Sequence, residues 1–185
     1  MTNTSDLRVI KTTNLIKDSF YDLLETEDFD KINVKQICAK SLIGRSTFYQ
    51  HYVDKYDLLT KENKYYTQIF TEGMSEKVES FQNENSLKDL IEYLNQDSAE
   101  ILMLLDVHTN VTDLETEFKK IISSSIDNQL NANPMNDLPV DFVKQVYAMN
   151  VMTFIKWSLK NGVDDSVNSF LNQSIKQEYD LWLRY

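Results

Sequence analysis

The sequence predicts an all-α protein. Three observations carry that expectation. Glycine and proline together number five in 185 residues, and both prolines, Pro134 and Pro139, fall in one Asn-rich stretch. A chain so poor in turn-formers has few turns, and long helices follow. Apolar residues recur at three- and four-residue intervals over most of the length, whereas two-residue alternation is nearly absent.

The elements follow in order. Thr4, Ser5 and Asp6 are N-cap candidates for a first helix, in which Ile10, Ile16, Phe20, Leu23 and Leu24 recur at helical spacing. It is expected to stop near Glu25, before the polar link Thr26–Lys31. Asn33 caps a short second helix with Val34, Ile37 and Cys38 on its inner face. A turn at Ser41–Ile43 leads to a third helix, Arg45 to about Tyr52, opened by Gly44. Asp54 is the next N-cap, and a fourth helix runs from Lys55 into the 70s on an inner face of Leu58, Leu59, Tyr65, Tyr66, Ile69 and Phe70. Beyond it, Ser86–Asn95 and Asp97–Val107 read as shorter helices and Thr112–Leu130 as a longer one. Residues 131–139 form a loop. Val140–Asn161 carries one stripe, Val143, Val146, Tyr147, Val151, Phe154, Ile155 and Ser158, and Gly162 is its C-cap. A last helix covers about Asp165–Leu183, with Val167, Phe170, Leu171, Ile175, Tyr179 and Trp182. That makes about nine helices. They divide into a three-helix head, residues 1–53, and a larger helical part, residues 54–185.

Bulk chemistry narrows the function. The lone cysteine, Cys38, excludes an intrachain disulfide framework and a cysteine-built zinc site. With two histidines as well, a metal site lacks ligands, so no metal is expected. No apolar run approaches the roughly 20 residues of a membrane span. The N-terminal MTNTSDLRVI has no apolar signal core, and the expected location is the cytoplasm. No Gly-rich phosphate loop, paired nucleophile and base, or HExxH is present, so no catalytic residue and no cofactor is expected.

Net charge is −10, which argues against a polyanionic partner until its distribution is read. Residues 63–185 carry net −9 and residues 1–62 net −1. Within the latter, residues 31–56 hold Lys31, Lys35, Lys40, Arg45 and Lys55 against Asp54 alone. Screening over about 8–10 Å makes that local island, not the whole-chain sum, the relevant field for phosphate.

The second and third helices with their tight turn have the pattern of a helix-turn-helix. The third has a polar edge, Arg45, Ser46, Thr47, Gln50 and His51, and an aromatic edge, Phe48 and Tyr52, suited to anchoring it. The segment Ile43–Leu59, IGRSTFYQHYVDKYDLL, resembles the signature of TetR-like (TetR/AcrR) regulators. There a small-residue turn precedes Arg/Lys-x-Thr-Phe/Leu-Tyr-x-His/Tyr-Phe/Tyr and then x-x-Lys-x-x-Leu. Phe29–Cys38, FDKINVKQIC, resembles the family's link and second helix. The likeness covers about residues 8–60. Val151–Gly162 is similar to a C-terminal subgroup common in Gram-positive (Firmicutes-type) bacteria. Two positions depart from the pattern: Leu42 stands at the turn glycine, and Gly44 at the serine that often caps the third helix.

The resemblance implies a DNA-binding regulator, most simply a homodimeric repressor on a near-palindromic operator, released by a small-molecule effector. It implies base contacts from Arg45, Ser46 and Gln50, with Arg45 on guanine and Gln50 on adenine. It implies phosphate contacts from Asn33, Lys35, Thr47, Tyr49, His51 and Lys55. Tyr65, Tyr66, Met103, His108 and Trp157 are candidates for an effector pocket, beside their plainer reading as core or surface. Phe154, Phe170, Leu171 and Trp182 are candidates for a dimer interface. Alternatives left open are a DNA-binding activator, control by a protein partner, and a helical interaction module that no longer binds DNA.

Overall fold

The computed structural model describes residues 4–77, 86–132 and 138–182. It is helical throughout, in the order α1 (Thr4–Leu24), α2 (Val34–Lys40), α3 (Arg45–Tyr49), α4 (Lys55–Lys77), α5 (Ser86–Leu94), α6 (Ser98–Leu105), α7 (Leu114–Ser125), α8 (Asp127–Ala132), α9 (Val140–Asn161) and α10 (Asp165–Trp182). Short 3-10 turns at Phe29–Lys31 and Asn95–Asp97 join α1 to α2 and α5 to α6. The all-α expectation holds: among the described residues there is no strand, only an isolated bridge between His108 and Asp113. α1 already includes Thr4, and the side chains of its proposed caps, Thr4 to Asp6, lie outside the described ones. Most of the expected 131–139 loop, and Leu183, also lie outside the described residues.

Two compact units form. The first contains residues 1–64 and 103–113, the second residues 65–102 and 114–185. The chain therefore passes between units inside α4 and again inside α6. Segment 103–113 joins the first unit although about forty residues separate it from α4's first turns in sequence.

The first unit is built on α1. Ile16, Phe20 and Leu23 are buried on one face, as the helical spacing predicts, and Tyr21 is buried beside them, while Leu24 is half-buried and Ile10 half-exposed. α2 packs against α1, and α3 against α2. Ile37 and Cys38 of α2, Phe48 of α3 and Leu58 and Leu59 of α4 are buried. Burial of apolar side chains at about 25 cal/mol per Å² is the main stabilising term here. A polar pair sits among them. Glu62 is 3% exposed and accepts from the Tyr21 hydroxyl at 2.9 Å, with Lys17 Nζ at 3.1 Å. Asn63 next to it donates to Thr112 Oγ1 at 3.0 Å. Both buried groups are polar, and both lie on α4 just where it leaves the first unit.

The second unit centres on α9, which packs against α5, α7 and α10. Of the predicted stripe, Val143, Tyr147, Val151, Phe154, Ile155 and Ser158 are buried and Val146 is half-buried. Phe70 of α4 stacks on Phe118 of α7, centroids 3.8 Å apart. Gly162 ends α9 at φ +84°, and its N–H donates to Ser158 O at 2.8 Å. The stretch expected to be one helix from Thr112 to Leu130 is two, α7 and α8, with a turn at Ile126.

Candidate nucleic-acid interface

The candidate reading head is assembled by local hydrogen bonds. Asn33 and Gln36 form a reciprocal capping box at the start of α2: Gln36 N–H donates to Asn33 Oδ1 at 3.1 Å, and Asn33 N–H to Gln36 Oε1 at 2.9 Å. Two otherwise orphaned donors are thereby satisfied. Gln36 Nε2 also reaches Glu27, at 3.0 Å, tying α2 to the preceding link. α2 ends on Ser41. Leu42 then takes φ +55°, and Ile43 N–H donates back to Cys38 O at 3.1 Å. That is the six-to-one bond of a Schellman turn, with Leu42 in the left-handed place usually given to glycine. The turn geometry is thus kept without its glycine.

Gly44 caps α3 with extended backbone and no side-chain bond. α3 itself is one turn, Arg45–Tyr49, shorter than expected. Backbone bonds from Gln50 N–H to Thr47 O, and from His51 and Tyr52 N–H to Phe48 O, carry the coil on to Tyr52. Phe48 is fully buried and Tyr52 nearly so, their rings 5.6 Å apart. Burial pushes the Tyr52 phenol up to about 12, with Glu62 and Asp57 adding to it, so it stays neutral. The opposite edge is open: Arg45, Ser46 and Gln50 are exposed, Tyr49 is 56% exposed, and Thr47 and His51 are half-buried. One face is anchored in the core, and the other is a polar row free to meet a partner. Lys35, exposed on α2, stands with it in the same unit.

The cations of the 31–56 island divide into two kinds. Lys31 pairs with Asp28 at 2.6 Å and Lys40 with Asp22 at 3.1 Å. Lys55 is turned inward: Nζ donates to Phe29 O (2.9 Å), Asp30 O (3.1 Å) and Ile32 O (2.8 Å). Lys35 and Arg45 are the exposed cations of that stretch outside such pairs. Sequence reasoning did not assign Lys61. Its ammonium donates to His51 O and Asp57, both at 2.9 Å, and lies 4.8 Å from the Tyr52 ring, closing the end of the coil after α3. The Asp57–Lys61 four-residue spacing was the available signal. Asp54 caps α4 as expected, accepting from Tyr56 and Asp57 N–H, each at 2.8 Å.

The effector candidates fall in different units. Met103 and His108 line a cavity of about 520 Å³ in the first unit, with Leu24, Phe29, Val107 and the acidic Glu25 and Asp106 around it. His108 Nδ1 lies 2.8 Å from Asp113 Oδ2. Tyr65, Tyr66 and Trp157 belong to the second unit: Tyr66 is buried, Tyr65 is 49% exposed and Trp157 38%. Of the interface candidates, Phe154, Leu171 and Trp182 are buried within the protomer, and Phe170 is 73% exposed. Exposed apolar residues also run along α9, at Phe142, Met149 and Trp157, and recur on α10 at Leu181. Among the described residues no group of three metal-ligating side chains forms, and no helix is long and apolar enough to cross a membrane.

No family model matches the chain. Over 55 residues it is 42% identical to the uncharacterized HTH-type transcriptional regulator YxbF of Bacillus subtilis (strain 168). That segment is 29% of this chain, and the chain spans only 14% of YxbF. Among solved structures it resembles the dihydroxyacetone kinase operon activator DhaS, with a TM-score of 0.51 at 19% identity, covering 94% of this chain and 97% of that one. It also resembles the fatty acid degradation regulator FadR from Bacillus halodurans, with a TM-score of 0.56 at 16% identity, over 93% and 94% of the two chains. The chain shares the fold of these two solved regulators. At these identities the likeness to solved structures is one of fold, and it extends over nearly the whole chain.

Proposed function

We propose that this chain is a homodimeric, sequence-specific DNA-binding transcription regulator. The observation that carries the reading is the split character of the coil from Arg45 to Tyr52: Phe48 and Tyr52 are buried while Arg45, Ser46, Tyr49 and Gln50 face outward. A helix held by its back and open along a polar front suits the major groove. In this reading Arg45 takes guanine O6 and N7, Gln50 takes adenine, and Ser46 lies along the base edges. Lys35, Thr47, Tyr49 and His51 grip phosphates, and Asn33 presents the capped start of α2 to the backbone.

A second copy supplies the other half-site. The exposed Phe142, Met149 and Trp157 of α9, with Phe170 and Leu181 of α10, support pairing of these two helices with their counterparts. Two heads would then sit about one helical turn of DNA, roughly 34 Å, apart on a near-palindromic site. A small-molecule effector acts by binding one of two states of the dimer more tightly than the other. Repression by occlusion is the primary outcome. Activation is the second reading, favoured by the fold shared with an operon activator. A reporter that rises on deletion of the protein identifies a repressor, and one that falls identifies an activator.

Selection from random duplex DNA, followed by titration across a salt series, tests the proposal. Wild type is expected to enrich one near-palindromic sequence. Arg45→Ala is expected to cost about 1–3 kcal/mol and relax the preference at one base position. Binding that ignores both sequence and salt would end this reading.

A further inference from the structure

The inward-facing Lys55 has a consequence for how the head is held. We propose that Lys55 is a positioning residue: it locks the link between α1 and α2 onto the start of α4, and it is not a phosphate clamp. The inference rests on the DNA-binding reading only for its effect on affinity; the lock itself is a property of the protein alone.

An ammonium has three N–H donors and no acceptor. Lys55 Nζ has three carbonyl partners within 3.1 Å, from Phe29, Asp30 and Ile32. Its donor capacity is therefore filled. The three carbonyls belong to one 3-10 turn and the residue after it, where C=O groups at the turn's end gather partial negative charge; Phe29 O also accepts from Ile32 N–H at 3.1 Å. The Phe29 ring lies 4.5 Å from the same nitrogen and adds a cation–π contact. Phe29 is itself buried and meets Phe20 edge-on at 6.2 Å and Tyr56 at 5.3 Å. The carbonyl cage is thus fixed to the core on one side and gripped by α4 on the other. The residue after Ile32 is Asn33, which caps α2, and Lys35 follows two positions later. What Lys55 sets is the place from which α2 and its exposed cation start. A phosphate could recruit Lys55 only by stripping these bonds, whereas Lys35 and Arg45 need no such rearrangement.

Arginine separates the two roles. A guanidinium grips phosphate at least as well as an ammonium, but its planar fork cannot direct three donors onto three converging carbonyls. In the full-length protein, with the selected duplex, Lys55→Arg and Lys55→Met are both expected to weaken binding by about tenfold or more. The slope of log affinity against log salt should stay at the wild-type value in both. Lys35→Met should instead reduce that slope by about 0.9 for each phosphate no longer neutralised. Lys55→Arg with wild-type affinity, or Lys55→Met with a reduced slope, overturns the proposal.

A DNA-free measurement guards against variants that fail to fold. In ¹⁵N-labelled wild type near neutral pH, the Lys55 ammonium should give a protected signal with through-hydrogen-bond coupling to carbonyl carbons of residues 29, 30 or 32. A Lys55 ammonium that exchanges as fast as exposed lysines overturns the lock. If wild type selects no DNA, the DNA-binding reading fails, and this signal still decides the role of Lys55.

Discussion

Leu42 holds the turn between α2 and α3 at φ +55°, and replacing it with glycine should stabilise the protein. Among the described residues it is the non-glycine residue with positive φ. An L side chain in that region costs about 1–2 kcal/mol, because Cβ crowds the backbone. The side chain returns nothing by burial, since it is 92% exposed. Glycine removes the strain but frees the unfolded chain, which takes back about 0.4–1 kcal/mol. The net expectation for Leu42→Gly is a gain of about 0.5–1 kcal/mol, or about 1–4 °C in Tm for a chain of this size. Leu42→Ala keeps the strained φ and gives up no burial, so it should stay within about 0.5 kcal/mol of wild type. Leu42→Val should be worse than either, since a β-branched residue resists positive φ most. Urea unfolding followed by circular dichroism ranks the three, and amide exchange in α2 and α3 locates the effect. If Leu42→Gly is less stable than Leu42→Ala, the strain argument is wrong, and the turn draws its stability from the leucine side chain itself.

Three further outcomes concern Gly73, Tyr21 and Asp57. A Cβ on Gly73 would lie 2.8 Å from Leu90 Cδ1 and 2.9 Å from the Tyr93 ring. Overpacking of about 1–3 kcal/mol then outweighs the helix-propensity gain of about 1 kcal/mol, so Gly73→Ala should lower stability in urea by about 1 kcal/mol. Tyr21→Phe withdraws the hydroxyl that donates to the buried Glu62 carboxylate and should cost about 1–3 kcal/mol by the same measurement, with no change in secondary structure by circular dichroism. The Val53 N–H, aided by Lys61, holds the Asp57 carboxyl below its usual 3.8. Its contribution is therefore complete above the unfolded value and lost as pH falls through the lower folded one. Asp57→Asn should flatten that part of the acid limb of a stability–pH profile and leave the profile's shape above about pH 5 unchanged.

The fold class and the caps were readable because their causes are local. Asn33, Asp54 and Gly162 do at their positions what their side chains, or lack of one, do in any helix terminus. The break at Ile126 was not readable. Leu114, Phe118, Ile122, Ile126 and Leu130 are all buried and follow one another at four-residue steps, so the apolar rhythm runs through the turn without a fault. No glycine or proline marks it. Which apolar residues of α9 and α10 stay exposed was not readable for a related reason. Periodicity says which face of α9 or α10 is apolar, not what covers it. Phe154, Leu171 and Trp182 are buried in the protomer's own core, whereas Val140, Phe142, Met149, Trp157, Phe170 and Leu181 are exposed. The spacing of Lys55 from Arg45–Tyr52 fits the phosphate contact that the family resemblance implies, and nothing nearby in sequence argues otherwise. Its three carbonyl partners lie 23 to 26 residues upstream, where only folding brings them to it.

The return of residues 103–113 to the first unit sets a schedule for synthesis. Leu104, Leu105 and Val107 are buried there, and Thr112 receives the Asn63 bond. A nascent chain that has released α1 through the first turns of α4 still lacks this piece. About fifty more residues must emerge, which takes on the order of 2–10 s at ribosomal rates. During that interval the first unit has part of its core open to water and Asn63 lacks its threonine partner. The first unit is therefore completed only once residue 113 has emerged, and a chain that stalls before that point leaves it unfinished.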